Sequence, residues 1–364
     1  HLDKKMNKQL IIFNPSIEDG GVEKNLFLIA NYLANKNIKI KIISADKNKR
    51  NKFNKNIEFD YPQNVSFKNN GRYKKYFYSL ILLLKNIFLS KNIAVLSFQA
   101  NIYTLLLCKI FNIRVIVRLN TAPQGWGHNF LKSKIYKFFI KKADGIIVNS
   151  LSFKNEIKLR YGVNSKLILN PFDFNHIKSL ANKKIKKIFP NKAIKLINVG
   201  RLTDQKDQIL LLKAVNLIKS KLKVYLVIIG KGQNYEKLIK YISDNDLQNQ
   251  VKLLGYKKNP FQYIKQSDIF LLSSKYEGSP NVLVEALILN KYIISTDCPT
   301  GPNEILKNGK FGKLFNVGDY MALSKLILNF KKNSTNEIKL NEHLYTYSKD
   351  INCEKYFKYI KKYI

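Results

Sequence analysis

Ile269-Phe-Leu-Leu-Ser-Ser-Lys-Tyr-Glu-Gly-Ser-Pro-Asn-Val-Leu-Val-Glu-Ala286 reads as a strand, a loop and the start of a helix. The apolar run Ile269–Leu272 suits a strand buried on both faces, and Lys275–Gly278 has the composition of a loop. Ser279 is placed to cap a helix whose first residue is Pro280, where a missing N–H costs nothing. Asn281 and Val282 would then present backbone N–H groups at the positive end of the helix, a site suited to a diphosphate. Glu277 stands just before that helix, and Glu285 lies about one and a half turns inside it.

The same alternation runs outward in both directions. Upstream, strands are expected at 9–13, 38–44, 93–97, 114–118 and 145–149, with helices at 23–36, 74–89, 103–111 and 131–142. Downstream, strands are expected at 194–199, 223–229, 251–254, 269–273 and 292–296, with helices at 207–219, 235–245, 260–266, 280–289 and 321–330. Strand–helix–strand repetition implies parallel sheets covered on both faces. It occurs as two series meeting near Asn170-Pro171, with 172–175 as an irregular linker. The expected architecture is α/β, two facing doubly wound domains: 6–170, 171–335, and a helical segment 336–364 returning to the first domain. In such sheets ligands bind beyond the carboxyl ends of the strands, so chemistry is sought at strand-to-helix junctions.

Composition narrows the class. The chain has 364 residues, 64 Lys+Arg against 25 Asp+Glu, and a formal net charge of +39. Only six of the cations are Arg, and the charge is spread evenly, +21 over residues 1–171 and +18 over 172–364. An anionic partner is implied, but without the clustered arginines of a nucleic-acid reader. AT-rich coding would write the same Lys, Asn and Ile bias. Cys108, Cys298 and Cys353 fit neither a disulfide framework nor a zinc spacing. No apolar run reaches the ~20 residues of a spanning helix, and none has the form of a secretory leader, so a reducing cytoplasm is expected.

Two more junctions carry candidates. Arg201 follows the strand 194–199 and Lys206 precedes the next helix, which sets two cations at a sheet's carboxyl edge. There they could neutralise charge growing on a departing diphosphate. Gly20-Gly21 follows the first strand, where backbone must come close to a ligand or simply turn.

Glu277 and Glu285 in EGSPNVLVEA resemble the signature of glycosyltransferase family 4, retaining nucleotide-sugar transferases of the GT-B fold. The resemblance continues through NVGRLTDQKD with Arg201 and Lys206, VIIGKGQNYEKL with Gly230 and Gly232, VKLLGY with Gly255, and STDCPTGPNEIL, and more loosely through EDGGVEK. Strong motifs cover 195–315. The resemblance implies that Arg201 and Lys206 hold the donor diphosphate, Glu277 meets the transferred sugar, and Glu285 meets the ribose. Gly20, Gly21, Gly230, Gly232, Ser279, Pro280, Asn281 and Val282 complete the donor site. The donor is expected to be UDP-linked, the sugar a hexose or N-acetylhexosamine, and no cofactor or metal is implied. The acceptor is expected to be a lipid-linked or membrane-associated glycan or glycolipid, at the cytoplasmic face of a bacterial membrane.

One position departs from the pattern. Where many family members carry a histidine, VIVRLNTAP has Asn120, which can hydrogen-bond a sugar hydroxyl but not act as acid or base. His128, nearby, reads as a solvated loop residue. Asp244-Asn245-Asp246 superficially matches an Asp-x-Asp metal motif but reads as a turn, and Tyr235 stands where a dinucleotide fingerprint needs its third glycine. Rival readings remain: a sugar-nucleotide 2-epimerase or phosphorylase-like enzyme, or a cationic nucleic-acid or membrane-binding module.

The stretch Lys68–Lys91 mixes Arg72, Lys74, Lys75 and Lys85 with Tyr73, Tyr76, Phe77 and Tyr78. Tyr76, Leu80, Leu83 and Ile87 fall on one helical stripe with Lys74 and Lys85 opposite. It reads either as a helix packed on its sheet or as an interfacial helix facing anionic lipid. The terminal Tyr356–Ile364 reads as a closing helix on the first domain.

Overall fold

The β-branched runs form strands because each is apolar on both sides and can be covered twice. In β1 (Gln9–Phe13), Leu10 and Ile12 enter one core while Ile11 and Phe13 enter another on the opposite face. Full burial of each such side chain stabilises the fold by ~1.5–3 kcal/mol. The computed structural model describes residues 8–18, 20–63, 65, 67, 71–120, 130–331 and 337–364. It divides into two compact units: one reaches to Phe172 and adds Lys349–Ile364, and the other is Asp173–Ser348.

The first unit continues from β1 through α1 (Gly21–Asn35), β2 (Ile40–Ile43), β3 (Glu58–Asp60), α2 (Arg72–Leu89) and β4 (Ile93–Ser97). It proceeds with α3 (Asn101–Ile110), β5 (Arg114–Arg118), α4 (Phe130–Ile140), β6 (Gly145–Val148), α5 (Leu151–Tyr161) and β7 (Lys166–Leu167). The sheet is all parallel, in the order β3-β2-β1-β4-β5-β6-β7. Ile12 pairs with Ile42 on one side and Leu96 on the other, so the strand order reverses at β1 and β4. Helix α1 buries Leu26, Ile29, Ala30 and Leu33, the spacing of a single helical face.

The second unit opens with α6 (Phe174–Ala181), β8 (Ile194–Val199), α7 (Gln208–Ile218), β9 (Val224–Ile229), α8 (Tyr235–Asp244) and β10 (Val251–Leu253). It closes with α9 (Phe261–Gln266), β11 (Ile269–Leu272), α10 (Asn281–Ile288), β12 (Tyr292–Thr296), α11 (Pro302–Ile305), β13 (Lys313–Phe315), α12 (Tyr320–Leu328) and α13 (Glu337–Tyr345). Its parallel order is β10-β9-β8-β11-β12-β13, and the reversal falls between β8 and β11. The last helix, α14 (Lys349–Ile360), belongs to the first unit and packs on α1.

Several expectations change. Of the expected irregular linker 172–175, only Phe172 and Asp173 are non-helical: α6 already starts at Phe174, because the Asp173 carboxylate caps it by accepting from the His176 N–H at 3.0 Å. Helix α10 begins at Asn281, with Pro280 rather than Ser279 in the capping position and no side-chain cap. Of the 336–364 segment, α13 stays with the second unit and only α14 joins the first. Strands β3, β7 and β13 and helices α5, α6 and α11 lie outside the expected elements. His128 lies outside the described residues, as does Asp19 of the EDGGVEK stretch.

Candidate active site

In a doubly wound sheet the two strands at the reversal send their following loops to opposite sides, which opens a crevice at their carboxyl ends. In the second unit those loops are Gly200–Asp207 after β8 and Ser273–Pro280 after β11, and they contain Arg201, Lys206 and Glu277. The loops are stitched together. The Lys275 N–H donates to the Gln205 carbonyl at 2.8 Å, and Gln205 Nε2 donates to the Tyr276 carbonyl at 2.9 Å. Ser273 Oγ donates to the Lys206 carbonyl at 2.7 Å, and Gln208 Nε2 to the Arg201 carbonyl at 2.9 Å.

On this frame Lys206 Nζ forms an ion pair with Glu277 Oε1, which also accepts from Ser274 Oγ at 2.6 Å. Both side chains are largely buried, 15% and 8% exposed. The sequence reading gave the two residues separate duties; the structure makes them partners, with Ser274 as a third member it did not find. The backbone of Glu277 is held too, its carbonyl accepting from Thr300 Oγ1. Arg201 is exposed, with its guanidinium donating to Gln205 Oε1 at 3.4 Å. Glu285 is 2% exposed in the second turn of α10, so it is no ordinary surface residue. Pro280 ends the same loop in the capping position of α10, with its carbonyl accepting from the Leu283 N–H at 3.1 Å.

Three glycines bring backbone close at this edge. A Cβ on Gly230 would fall 1.8 Å from the Gly200 carbonyl oxygen, and one on Gly232 would fall 2.3 Å from that of Leu202. Gly301 adopts φ +96, and a Cβ there would meet Pro280 Cδ at 2.6 Å. Cys298 adjoins the ion pair; burial, then the charge of Glu277, raises its thiol to about 12, so it stays protonated and inert.

The first unit has its own reversal, with loops after β1 and β4. Gly20 caps α1, and a Cβ there would stand 2.7 Å from Glu23 Oε2; Gly21 is the first helical residue. Glu23, given no role by the sequence reading, is 5% exposed and is reached by Gln99 Nε2 at 3.4 Å. Burial raises its carboxyl to about 7, opposed by the backbone N–H groups of Glu23 and Gly20 and by Arg72, and reinforced by Glu18. A Glu three residues after a cap position is the reciprocal half of a capping box, which was the available signal. Asn120 follows β5; its Nδ2 donates to the Phe98 carbonyl at 2.7 Å, and its Oδ1 has no partner among the described residues. Asp244 ends α8, and Asn245 caps it while bonding Asn216 and Lys219, so this motif is built into a helix terminus.

Residues 181–350 match the family profile described as Glycosyl transferases group 1, and residues 19–176 match Glycosyltransferase Family 4. An uncharacterized glycosyltransferase of Methanocaldococcus jannaschii is 38% identical over 56% of this chain and 53% of its own length. The N-acetylgalactosamine-N,N'-diacetylbacillosaminyl-diphospho-undecaprenol 4-alpha-N-acetylgalactosaminyltransferase of Campylobacter jejuni is 30% identical over 59% of this chain and 60% of its own. The chain thus spans little more than half of each of these relatives. Among solved structures, Anabaena HepE in complex with UDP superposes with a TM-score of 0.77 over 97% of this chain and 100% of that one, at 16% identity. At that identity the likeness concerns the fold.

Proposed function

The chain belongs to the family 4, group 1 glycosyltransferases of GT-B fold, and from that premise we propose that it moves a hexose or N-acetylhexosamine from a UDP-linked donor to a lipid-linked or membrane-associated glycan or glycolipid, with retention at the transferred carbon. The observation that carries the donor half is the meeting of Arg201, the Lys206–Glu277 pair and the start of α10 at the strand reversal of the second unit. Two cations and a helix N-terminus favour a diphosphate there, and more so as its charge grows on departure. Both described contacts of the Glu277 carboxylate fall on Oε1, so Oε2 is the oxygen assigned to a sugar hydroxyl. Buried Glu285 is assigned to the ribose hydroxyls.

In the retaining step the bond from the sugar's anomeric carbon to the diphosphate oxygen breaks, and the acceptor oxygen bonds that carbon on the same face. The acceptor's proton passes to the departing diphosphate, which Arg201 and Lys206 neutralise. Asn120, where many family members carry a histidine, is assigned to orienting a sugar hydroxyl. The acceptor class is supported by the relatives' names: a diphospho-undecaprenol-linked glycan for the Campylobacter protein, and lipopolysaccharide for a Salmonella galactosyltransferase 27% identical over 53% of this chain. Thermal-shift and calorimetric screening of nucleotides and nucleotide sugars tests the donor, followed by product analysis with lipid-linked acceptors. UDP-sugar binding with acceptor-dependent product is the expected result. Interconversion of the donor without acceptor would make the protein an epimerase instead.

A further inference from the structure

Helices α2, α3 and α4 send their inward residues, Leu83, Leu105 and Ile140 among them, into the same core on one face of the first sheet. Neighbouring helices touch, and the rings of Phe88 and Phe111 meet edge to face at 5.1 Å, so their outward faces form one surface. That surface is not polar. On α2, Phe77, Ile81 and Phe88 are 61%, 47% and 69% exposed, and they recur at the spacing of a single helical stripe. Leu106 and Ile110 of α3 and Phe138 of α4 extend it at 45%, 66% and 58%. Contiguous exposure of this kind marks an interaction face rather than scattered surface residues.

Charge selects the partner. None of the three helices contains an Asp or Glu, while Lys74 and Lys85 lie exposed along the stripe of α2 and Lys137 along α4. Lys142, just past α4, stands 4.3 Å over the ring of Phe138. The carboxylates on this flank are occupied, Asp144 by Lys109 and Glu156 by Arg160. A second copy, also carrying +39, would bring like charges together on such a face. Nucleic acid would use the lysines but leave the aliphatic side chains in water. We propose that the outer face of α2, α3 and α4 is a membrane-contact surface that seats the protein on anionic lipid, with Phe77, Ile81, Phe88 and Ile110 among the acyl chains and the lysines among the headgroup phosphates. This names a partner for the membrane-associated acceptor reading and rests on it for its purpose, though not for its observation.

Flotation of the full chain with phosphatidylcholine vesicles, and with vesicles containing about one third phosphatidylglycerol, tests it. Binding is expected to be at least tenfold stronger to the anionic vesicles. It should fall at least tenfold in the triple variant Phe77→Ser/Ile81→Ser/Phe88→Ser and in Lys74→Glu/Lys85→Glu. All five side chains are exposed, so both variants should keep the wild-type circular dichroism and UDP affinity; if the triple variant misfolds, the lysine variant alone decides. Equal binding to neutral and anionic vesicles, unchanged binding by a folded variant, concentration-dependent dimerisation lost in the triple variant, or RNA binding lost with Phe77, Ile81 and Phe88 would each overturn it. A failed donor screen with intact vesicle binding would instead count against the enzymatic reading alone.

Discussion

Replacing Lys206 by Met keeps the length of the side chain and removes its charge, which affects two things at once. The folded protein loses the counter-ion of Glu277, whose side chain is 8% exposed and whose other described partner is the Ser274 hydroxyl. Leaving a buried charge uncompensated costs ~3–5 kcal/mol, and the low end applies because the lysine retains 15% exposure. The proposed diphosphate site loses one charge-assisted contact, worth ~1.5–3 kcal/mol, equivalent to about tenfold to 150-fold in affinity or turnover. The two effects separate in the double variant Lys206→Met/Glu277→Gln. Its neutral amide can still accept from Ser274 Oγ, so urea stability followed by circular dichroism should recover most of the loss. Turnover and UDP affinity should not recover. Turnover of Lys206→Met within twofold of wild type would refute the diphosphate role, and failure of the double variant to regain stability would refute the pairing.

Arg201→Ala should cut turnover at least tenfold with little change in urea midpoint, since its side chain is exposed. Gly230→Ala forces a methyl to within 1.8 Å of the Gly200 carbonyl and should lower stability by ~1–3 kcal/mol in urea titration. Tyr356→Phe removes the hydroxyl that accepts from buried Arg118 Nε at 2.8 Å and should cost ~1–3 kcal/mol without altering UDP affinity. Glu23 titrates near 7 in the fold against an ordinary 4.5, so the folded state binds the extra proton. Its contribution is fully present below about 4.5 and declines as pH rises through 7, by ~3 kcal/mol in all. Urea midpoints across that window should fall in the wild type and stay flatter in Glu23→Gln; parallel curves would place the carboxyl elsewhere.

The central strands were legible because a strand covered on both faces must be a continuous apolar run, as in 9–13, 93–97 and 269–272. The strands that escaped are short and at or near sheet edges: β3 is Glu-Phe-Asp and β7 is Lys-Leu, too brief to show a period. Helix α6 was hidden by its aromatic start, although Asp173 is a recognisable cap. For the candidate site, residue types at junctions pointed to the loops after β8 and β11, but the Lys206–Glu277 pair depends on how two loops far apart in sequence meet at a strand reversal. Helix α2 is legible on one face only. Of its apolar stripe Tyr76, Leu80, Leu83 and Ile87, the last three do pack into the core, but Ser79 and Asn86 are buried beside them while Phe77, Ile81 and Phe88 face outward. Asn86 pays for its burial by binding Lys41 and Asp60 at 2.9 Å each, which hydropathy alone does not reveal.

Calorimetric titration of UDP and of uridine into the wild type and into Arg201→Ala/Lys206→Met is the most direct test of the diphosphate site. UDP should bind the wild type at least tenfold more tightly than uridine, and that preference should disappear in the double variant. A double variant that kept the full preference for the diphosphate would contradict the site at the second unit's strand reversal.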